Sequence, residues 1–290
     1  MGSEFVKLRR EMNIITFDIE EWYYIRFDDE FLNNSRLLNS LERRLDYNIN
    51  LILDMLDKHN QKASFFCLGE VARNSPGIIK LIDDRGHDIG CHSDSHRLVS
   101  SMSEQQFSDD LYTALDCIQT ETGKKVYMYR APAFSITSGN MWTFDVMIDQ
   151  GITIDSSIFP ASRDYGGISN INFPTPRKII TPLGNSIKEF PMSVNSIFGK
   201  KMIFTGGGYF RLWPYAVIKR IVAKEDYTMT YFHPRDFDFK QPKLEGLSLT
   251  REFKSYYGLK KALYKMDLLL NDFDFVSISE ANRLIDWKMT

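Results

Sequence analysis

The chain has 290 residues, 43% of them hydrophobic and 26% charged, with a net charge of −2. That balance belongs to a soluble globular protein and argues against disorder, a nucleic-acid partner drawn by charge, or an anionic membrane surface. No apolar run approaches the ~18 residues a membrane span needs, and Cys67, Cys91 and Cys117, an odd set with no C-x-x-C pair, give neither a disulfide framework nor a thiolate zinc site.

Residues 1–11, "MGSEFVKLRRE", read as a tag or leader remnant, and residues 12–290 as one domain. No apolar signal segment precedes Met12, so a cytoplasmic, reducing compartment is expected. "NIITFDI" is the first β-branched strand, and residues 41–58 follow as a helix with Leu45, Ile49, Ile52, Leu53 and Leu56 at helical spacing. "ASFFCLG" is a buried strand. The helix through "GIIKLIDDRG" ends at Gly86, a residue suited to a C-terminal cap. "HDIGCH" is a third strand, followed by a helix from Ser101 or Ser103 to Gly123. "VYMYRAPAF" and "ITIDSSIF" are further strands on either side of a helix in "MWTFDVMIDQG".

After residue 159 the rhythm loosens into a Pro-, Gly- and Asn-rich excursion, Pro160 to Arg177. It returns with the strand "YTMTYFHP", the helix "GLKKALYKMDLLLNDF" and a last segment "DFVSISEANRLI". Strands alternating with helices over short connections predict a parallel sheet covered by helices, a barrel-like α/β fold in a single domain.

Ligands of such folds bind at the carboxyl ends of the strands. Asp18, Glu20 and Glu21 end the first strand; His92 and His96 follow the third; Arg130 ends the fourth; His233 ends "YTMTYFH". Each group alone has an ordinary explanation: solvated histidines, a charged strand terminus, a surface ion pair. Their convergence on one face points to a site. Two histidines and a carboxylate suit a divalent transition metal, zinc being the commonest, with an open position for water. The i, i+4 spacing of His92 and His96 predicts one face of a helical turn. A second acid able to accept a proton from that water gives metal-assisted hydrolysis. Strand alternation puts Asp18 and Glu20 on one side, which favours Glu20 as ligand over Glu21.

In order along the chain, "TFDIEEW", "ASFFCLGEVA", "HSDSH", "RAPAF" and "YFHP" resemble the motifs of the NodB-homology polysaccharide deacetylases, carbohydrate esterase family 4. "DSSIFP", "EFPMS" and "GGGYFRLWP" resemble the subgroup associated with bacterial exopolysaccharide and surface-glycan gene clusters. The resemblance implies a distorted (β/α)7 barrel, one divalent metal ion (most often Zn2+) and hydrolysis of an N-acetyl group from a glycan. It implies Asp18 as general base, His92 and His96 as metal ligands, Arg130 as the partner of Asp18, and His233 as the acid that protonates the leaving amine. The family's usual T-F-D-D has isoleucine at its fourth position here, so the metal-binding acid moves to Glu20 in a D-x-E spelling. Ala133 and Phe134 fall where substrate and oxyanion are held.

The family's Asp and Trp motif that supports the acid histidine is replaced by "GGGYFRLWP". Its Tyr209 and Arg211 are expected to line the substrate, Arg211 meeting an anionic group, with Gly206 to Gly208 giving room and the excursion shaping specificity. Two other readings stand beside this one. Relatives of the barrel open cyclic amides such as allantoin, and others bind glycans without catalysis.

Overall fold

The computed structural model describes residues 11–25, 31, 34–169, 174–197 and 200–288. The proposed tag or leader therefore lies outside the described residues except for Glu11, as do residues 170–173 of the excursion.

The first strand is interrupted once. β1 (Met12–Ile14) and β2 (Thr16–Ile19) are its two halves, followed by β3 (Ser64–Cys67), β4 (Asp88–Cys91), β5 (Met128–Tyr129) and β6 (Ile154–Asp155). β7 (Arg177–Ile180) and β8 (Ser186–Glu189) form a hairpin. β9 (Asn195–Ile197) and β10 (Lys200–Met202) form a separate one, and β11 (Tyr227–Met229) comes last. The main sheet runs β2-β3-β4-β5-β6-β8-β7 and is parallel apart from β7. β11 pairs in parallel with β1, on the other side of the first strand. Between β8 and β11 the circle is completed by side chains. Ser193, just beyond β8, donates to Tyr227 O at 3.4 Å and accepts from the Met229 N–H at 2.6 Å. The result is a distorted (β/α)7 barrel, as the resemblance implied.

Alternation along the strands sorts the core into two layers. Met12, Ile14, Phe66, Met128, Ile154, Phe190 and Met229 fill the interior. Phe17, Ile19, Phe65, Cys67, Cys91 and Tyr129 face the surrounding helices. Gly90 on β4 has no side chain for a reason: a Cβ there would lie 2.6 Å from the Phe66 ring. That ring in turn lies 4.2 Å beneath the Arg130 guanidinium and supports it.

The helices differ from expectation in instructive places. The helix expected from residue 41 begins at Leu45. Ser103 is the N-cap of Glu104–Thr122, completing a capping box with Gln106. The β7–β8 hairpin and the helices Tyr215–Val222 and Leu249–Tyr256 were not legible in the loosened stretch. Among the described residues no helix is long and apolar enough to cross a membrane.

Candidate active site and metal centre

Asp18 and Glu20 point inward from the first strand and are both buried. Glu21 turns the other way. Its carboxylate accepts from the backbone N–H groups of Arg44 (3.2 Å) and Leu45 (3.4 Å), satisfying the start of the helix Leu45–Lys58. Glu21 is thus a helix cap, spent on structure.

His92 and His96 do not share a helical turn. They lie in the loop after β4, which bends through left-handed conformations at Ser93 (φ 79°) and His96 (φ 60°). The bends bring the imidazoles together, with ring centroids 5.4 Å apart. Two contacts clamp the loop: the His92 N–H donates to Cys67 O at 2.8 Å, and Arg73 grips Asp94 at 2.6 and 2.9 Å.

One ligand atom from each of Glu20, His92 and His96 lies within 4.8 Å of the others, and all three residues are buried. The His92 Nδ1–H donates to Arg130 O at 2.7 Å, which turns Nε2 toward the cluster. Burial pushes the His92 imidazole down to about 4, so it is neutral and offers a lone pair. Burial alone would raise the Glu20 carboxyl, but His96, helped by His233 and His92, outweighs it and holds it at about 2. Glu20 Oε2 has no aligned hydrogen-bond donor although His96 Nε2 approaches to 2.6 Å. A buried carboxylate and two imidazoles converging in this way fit a divalent cation.

Beside this cluster Arg130, wholly buried, donates from one terminal nitrogen to Asp18 Oδ1 (2.8 Å) and Thr16 Oγ1 (2.7 Å). Its other nitrogens donate to Ser156 Oγ (2.9 Å) and Ser156 O (3.2 Å). The chain then turns through Ala133 (φ 52°) and Phe134 (φ 54°), both left-handed. Ser157 pins the turn by accepting from the Ala131 N–H at 2.8 Å while donating to Asp155 at 2.7 Å. Asp155 and Glu189 face each other across β6 and β8; burial raises both carboxyls, Asp155 raises Glu189 further, and the hydrogen bond between them offsets part of the rise at Asp155. Among the described residues the Ala133 N–H donates to no acceptor, whereas Phe134 is 3% exposed and packs edge-on against Tyr231. Phe134 is therefore a wall, and Ala133 the open donor.

His233 closes the site from β11, its Nε2 3.7 Å from Glu20 Oε1. The partner that sequence reasoning missed is Asp236, three residues on in a 3-10 turn. Its Oδ2 lies 3.2 Å from His233 Nδ1 and accepts from the His233 N–H at 2.9 Å. Burial works against protonation of His233, but Glu20 and Asp236 raise the imidazole above its ordinary value. The motif "YFHP" continues "RDFD", and its carboxylate at i+3 is the signal that points to this partner.

Arg211 is corrected. It is 2% exposed and donates to the carbonyls of Lys254, Ser255 and Tyr257, each at 2.9 Å. Its remaining partner is Asp236 Oδ1 at 3.2 Å. Both terminal nitrogens are engaged inside the protein and Nε is buried, so Arg211 does not meet substrate. The room expected around Gly206–Gly208 is also filled: a Cβ would lie 2.0 Å from the Tyr231 ring at Gly206 and 2.9 Å from Lys254 O at Gly208. Tyr209, 37% exposed, remains at the surface.

The family model Polysaccharide deacetylase matches residues 20–144, and one described as Domain of unknown function (DUF3473) matches residues 156–283. The chain is 29% identical over 117 residues to a peptidoglycan-N-acetylglucosamine deacetylase from Bacillus cereus, covering 36% of this chain and 42% of that protein. It is 32% identical over 87 residues to the peptidoglycan-N-acetylmuramic acid deacetylase PdaA from Bacillus subtilis, covering 30% and 33%. The chain thus spans less than half the length of these curated relatives. Among solved structures, one from Mycobacterium smegmatis assigned to the polysaccharide deacetylases aligns with a TM-score of 0.65 at 17% identity, covering 98% of this chain and 93% of that one. A CE4 family pseudoenzyme from Bacillus anthracis aligns with a TM-score of 0.52 at 15% identity, over 94% and 66%. These structural likenesses concern the fold alone. Residues 20–144 therefore carry a polysaccharide deacetylase match of the NodB and CE4 type, on a barrel fold that extends over the rest of the chain.

Proposed function

We propose that this protein is a metal-dependent hydrolase that removes the N-acetyl group from a sugar of a bacterial surface glycan or its precursor. The observation that carries the reading is the convergence of the Glu20–His92–His96 donor set with two separately supported proton-transfer groups, Asp18 on Arg130 and His233 on Asp236. Glu20, His92 and His96 would hold the ion, for which zinc is the best match to one carboxylate and two imidazoles. When bound, such an ion supplies Lewis-acid polarisation of the acetamide carbonyl and of an attacking water.

The remaining work falls to the chain's own residues. Asp18, aimed by Arg130, takes a proton as water adds to the acetamide carbon. The Ala133 N–H is the open donor for the oxygen on which negative charge develops. His233, whose imidazole Glu20 and Asp236 raise above its ordinary value against the effect of burial, delivers its proton to the sugar nitrogen as the C–N bond breaks. Acetate and the free amine leave, and Asp18 returns its proton to solvent or to His233. The retained acid and base groups favour this reading over a non-catalytic glycan binder. Acetate release over a panel of N-acetylated glycans, with allantoin hydrolysis measured beside it, tests the assignment; activity on allantoin alone would replace it with the cyclic-amide reading.

A further inference from the structure

The excursion after β6 carries a cation that the mechanism does not use. Arg163 is half-buried, its guanidinium 4.4 Å above the Phe159 ring and 5.9 Å from the Phe134 ring. Its guanidinium lies within electrostatic reach of Tyr231. The Tyr231 ring stands edge-on to both Phe134 (5.2 Å) and His233 (6.0 Å), so one aromatic ring separates the cation from the proposed acid. Arg130 and Arg211 each have a carboxylate, at 2.8 and 3.2 Å. Arg163 has no such ion pair among the described residues.

The arm that holds Arg163 is fastened to the site. The Gly167 N–H donates to Phe134 O at 3.1 Å, the Ile168 N–H to Phe159 O at 2.9 Å, and the Arg163 N–H to Gly166 O at 3.0 Å. A Cβ at Gly166 would lie 2.1 Å from Phe134 O, so the loop presses directly on the Ala133–Phe134 turn. A guanidinium laid on aromatic faces has lost much of its freedom and its water, and it keeps unused donors in a planar fork that matches carboxylate or phosphate oxygens.

We infer that Arg163, framed by Phe134, Phe159 and Tyr231, forms an anion-binding subsite beside His233 that takes a carboxylate or phosphate of the substrate glycan. The inference rests on the deacetylase reading and deepens it by naming the substrate class: an N-acetylated sugar bearing negative charge on the same or the neighbouring residue. The cation lies one ring away from His233 and forms no ion pair with Asp18 or Glu20 among the described residues, so it can attract that charge without neutralising the groups that perform the chemistry. It also takes over, from a different segment, the role that sequence reading gave to Arg211.

The test compares metal-loaded wild type, Arg163→Gln and Arg163→Lys on three N-acetylated oligosaccharides of equal length: neutral, uronate-bearing and phosphate-bearing. Arg163→Gln should lower kcat/KM on a charged substrate about tenfold or more, the scale of one charged hydrogen bond, chiefly through KM. It should leave the neutral substrate and the melting temperature nearly unchanged, and Arg163→Lys should recover part of the loss. Whichever charged arm responds identifies the anion. Equal effects on neutral and charged substrates, or a wild type that prefers the neutral one, would overturn the subsite. If the wild type releases acetate from none of the three, the deacetylase reading fails separately. Calorimetric binding of the charged oligosaccharides then decides the subsite: a Kd weakened by Arg163→Gln supports it, and an unchanged Kd or no binding overturns it.

Discussion

Asp236 ties the helix that carries Arg211 to one imidazole. It follows His233 by three residues, receives the His233 N–H and Nδ1, and is held by Arg211 from a helix of the "GGGYFRLWP" stretch. Burial opposes its ionisation, but Arg211 and His233 keep the carboxyl far below its ordinary value. In the proposed mechanism His233 must be protonated to act. Rate is lost as pH rises through its pKa, and an anionic Asp236 moves that loss to higher pH. Asp236→Asn should therefore shift the alkaline limb of kcat/KM to lower pH, and a pH–rate profile with an unmoved limb would contradict the pairing. For the base, Asp18→Asn should retain metal and reduce kcat by ~10²–10⁴-fold, the usual contribution of a general base. Metal analysis alongside single-turnover acetate release checks both halves of that statement.

At the scale of elements, adjacent acids on one strand end do different work. Glu20 faces His92 and His96 while Glu21 caps the helix Leu45–Lys58. Glu20→Gln should release metal and leave the fold in place. Glu21→Gln should keep metal and cost ~1 kcal/mol in urea unfolding, the usual value of a cap. Gly90→Ala is the complementary test of the barrel interior. The added methyl meets the Phe66 ring that carries Arg130, so ~1–3 kcal/mol of overpacking is expected, together with lower turnover from a displaced Arg130.

The same scale shows what was legible in the sequence. Alternation in "TFDIE" placed Asp18 and Glu20 on one side because a strand has only two faces. The early strands were legible because each is a short apolar run between helices with clear caps, as at Ser103 and Gly86. The helical turn for His92 and His96 failed because left-handed bends at Ser93 and His96, neither a glycine, leave no compositional mark. The β7–β8 hairpin escaped because its strands are half polar or more: Arg177 and Lys178 on one, Ser186, Lys188 and Glu189 on the other. Arg211 was misplaced for another reason. Its partners lie 25 residues away at Asp236 and more than 40 away at Lys254 to Tyr257, and local pattern carries no information on such pairings.

The whole molecule adds a pH dependence of its own, away from the site. His87, where the chain enters β4, is 4% exposed and accepts the Ala63 N–H at Nδ1 (3.2 Å), a bond only the neutral ring can make. Burial, with Lys62 nearby, pushes it down to about 4 from its ordinary 6.5. Between those values the unfolded chain binds more protons than the folded one, so stability is full above about 6.5 and falls as the pH drops toward about 4. The His87 contribution to that loss is at most about 3 kcal/mol by linkage. Urea midpoints at pH 7.5 and 5 should differ in that direction, and a His87 ring that titrates near 6.5 by NMR would contradict the account.

Barrel, metal donors and proton-transfer pairs together make one claim, metal-dependent removal of acetyl groups from glycans. Its most direct test is acetate release from N-acetylated glycans by the chelator-stripped protein before and after titration with zinc, run in parallel with His92→Ala. The account predicts no release from the stripped protein, full recovery at one zinc per chain, and neither zinc retention nor acetate release in the variant. Acetate release that survives complete stripping, or stoichiometric zinc held by His92→Ala, would contradict it.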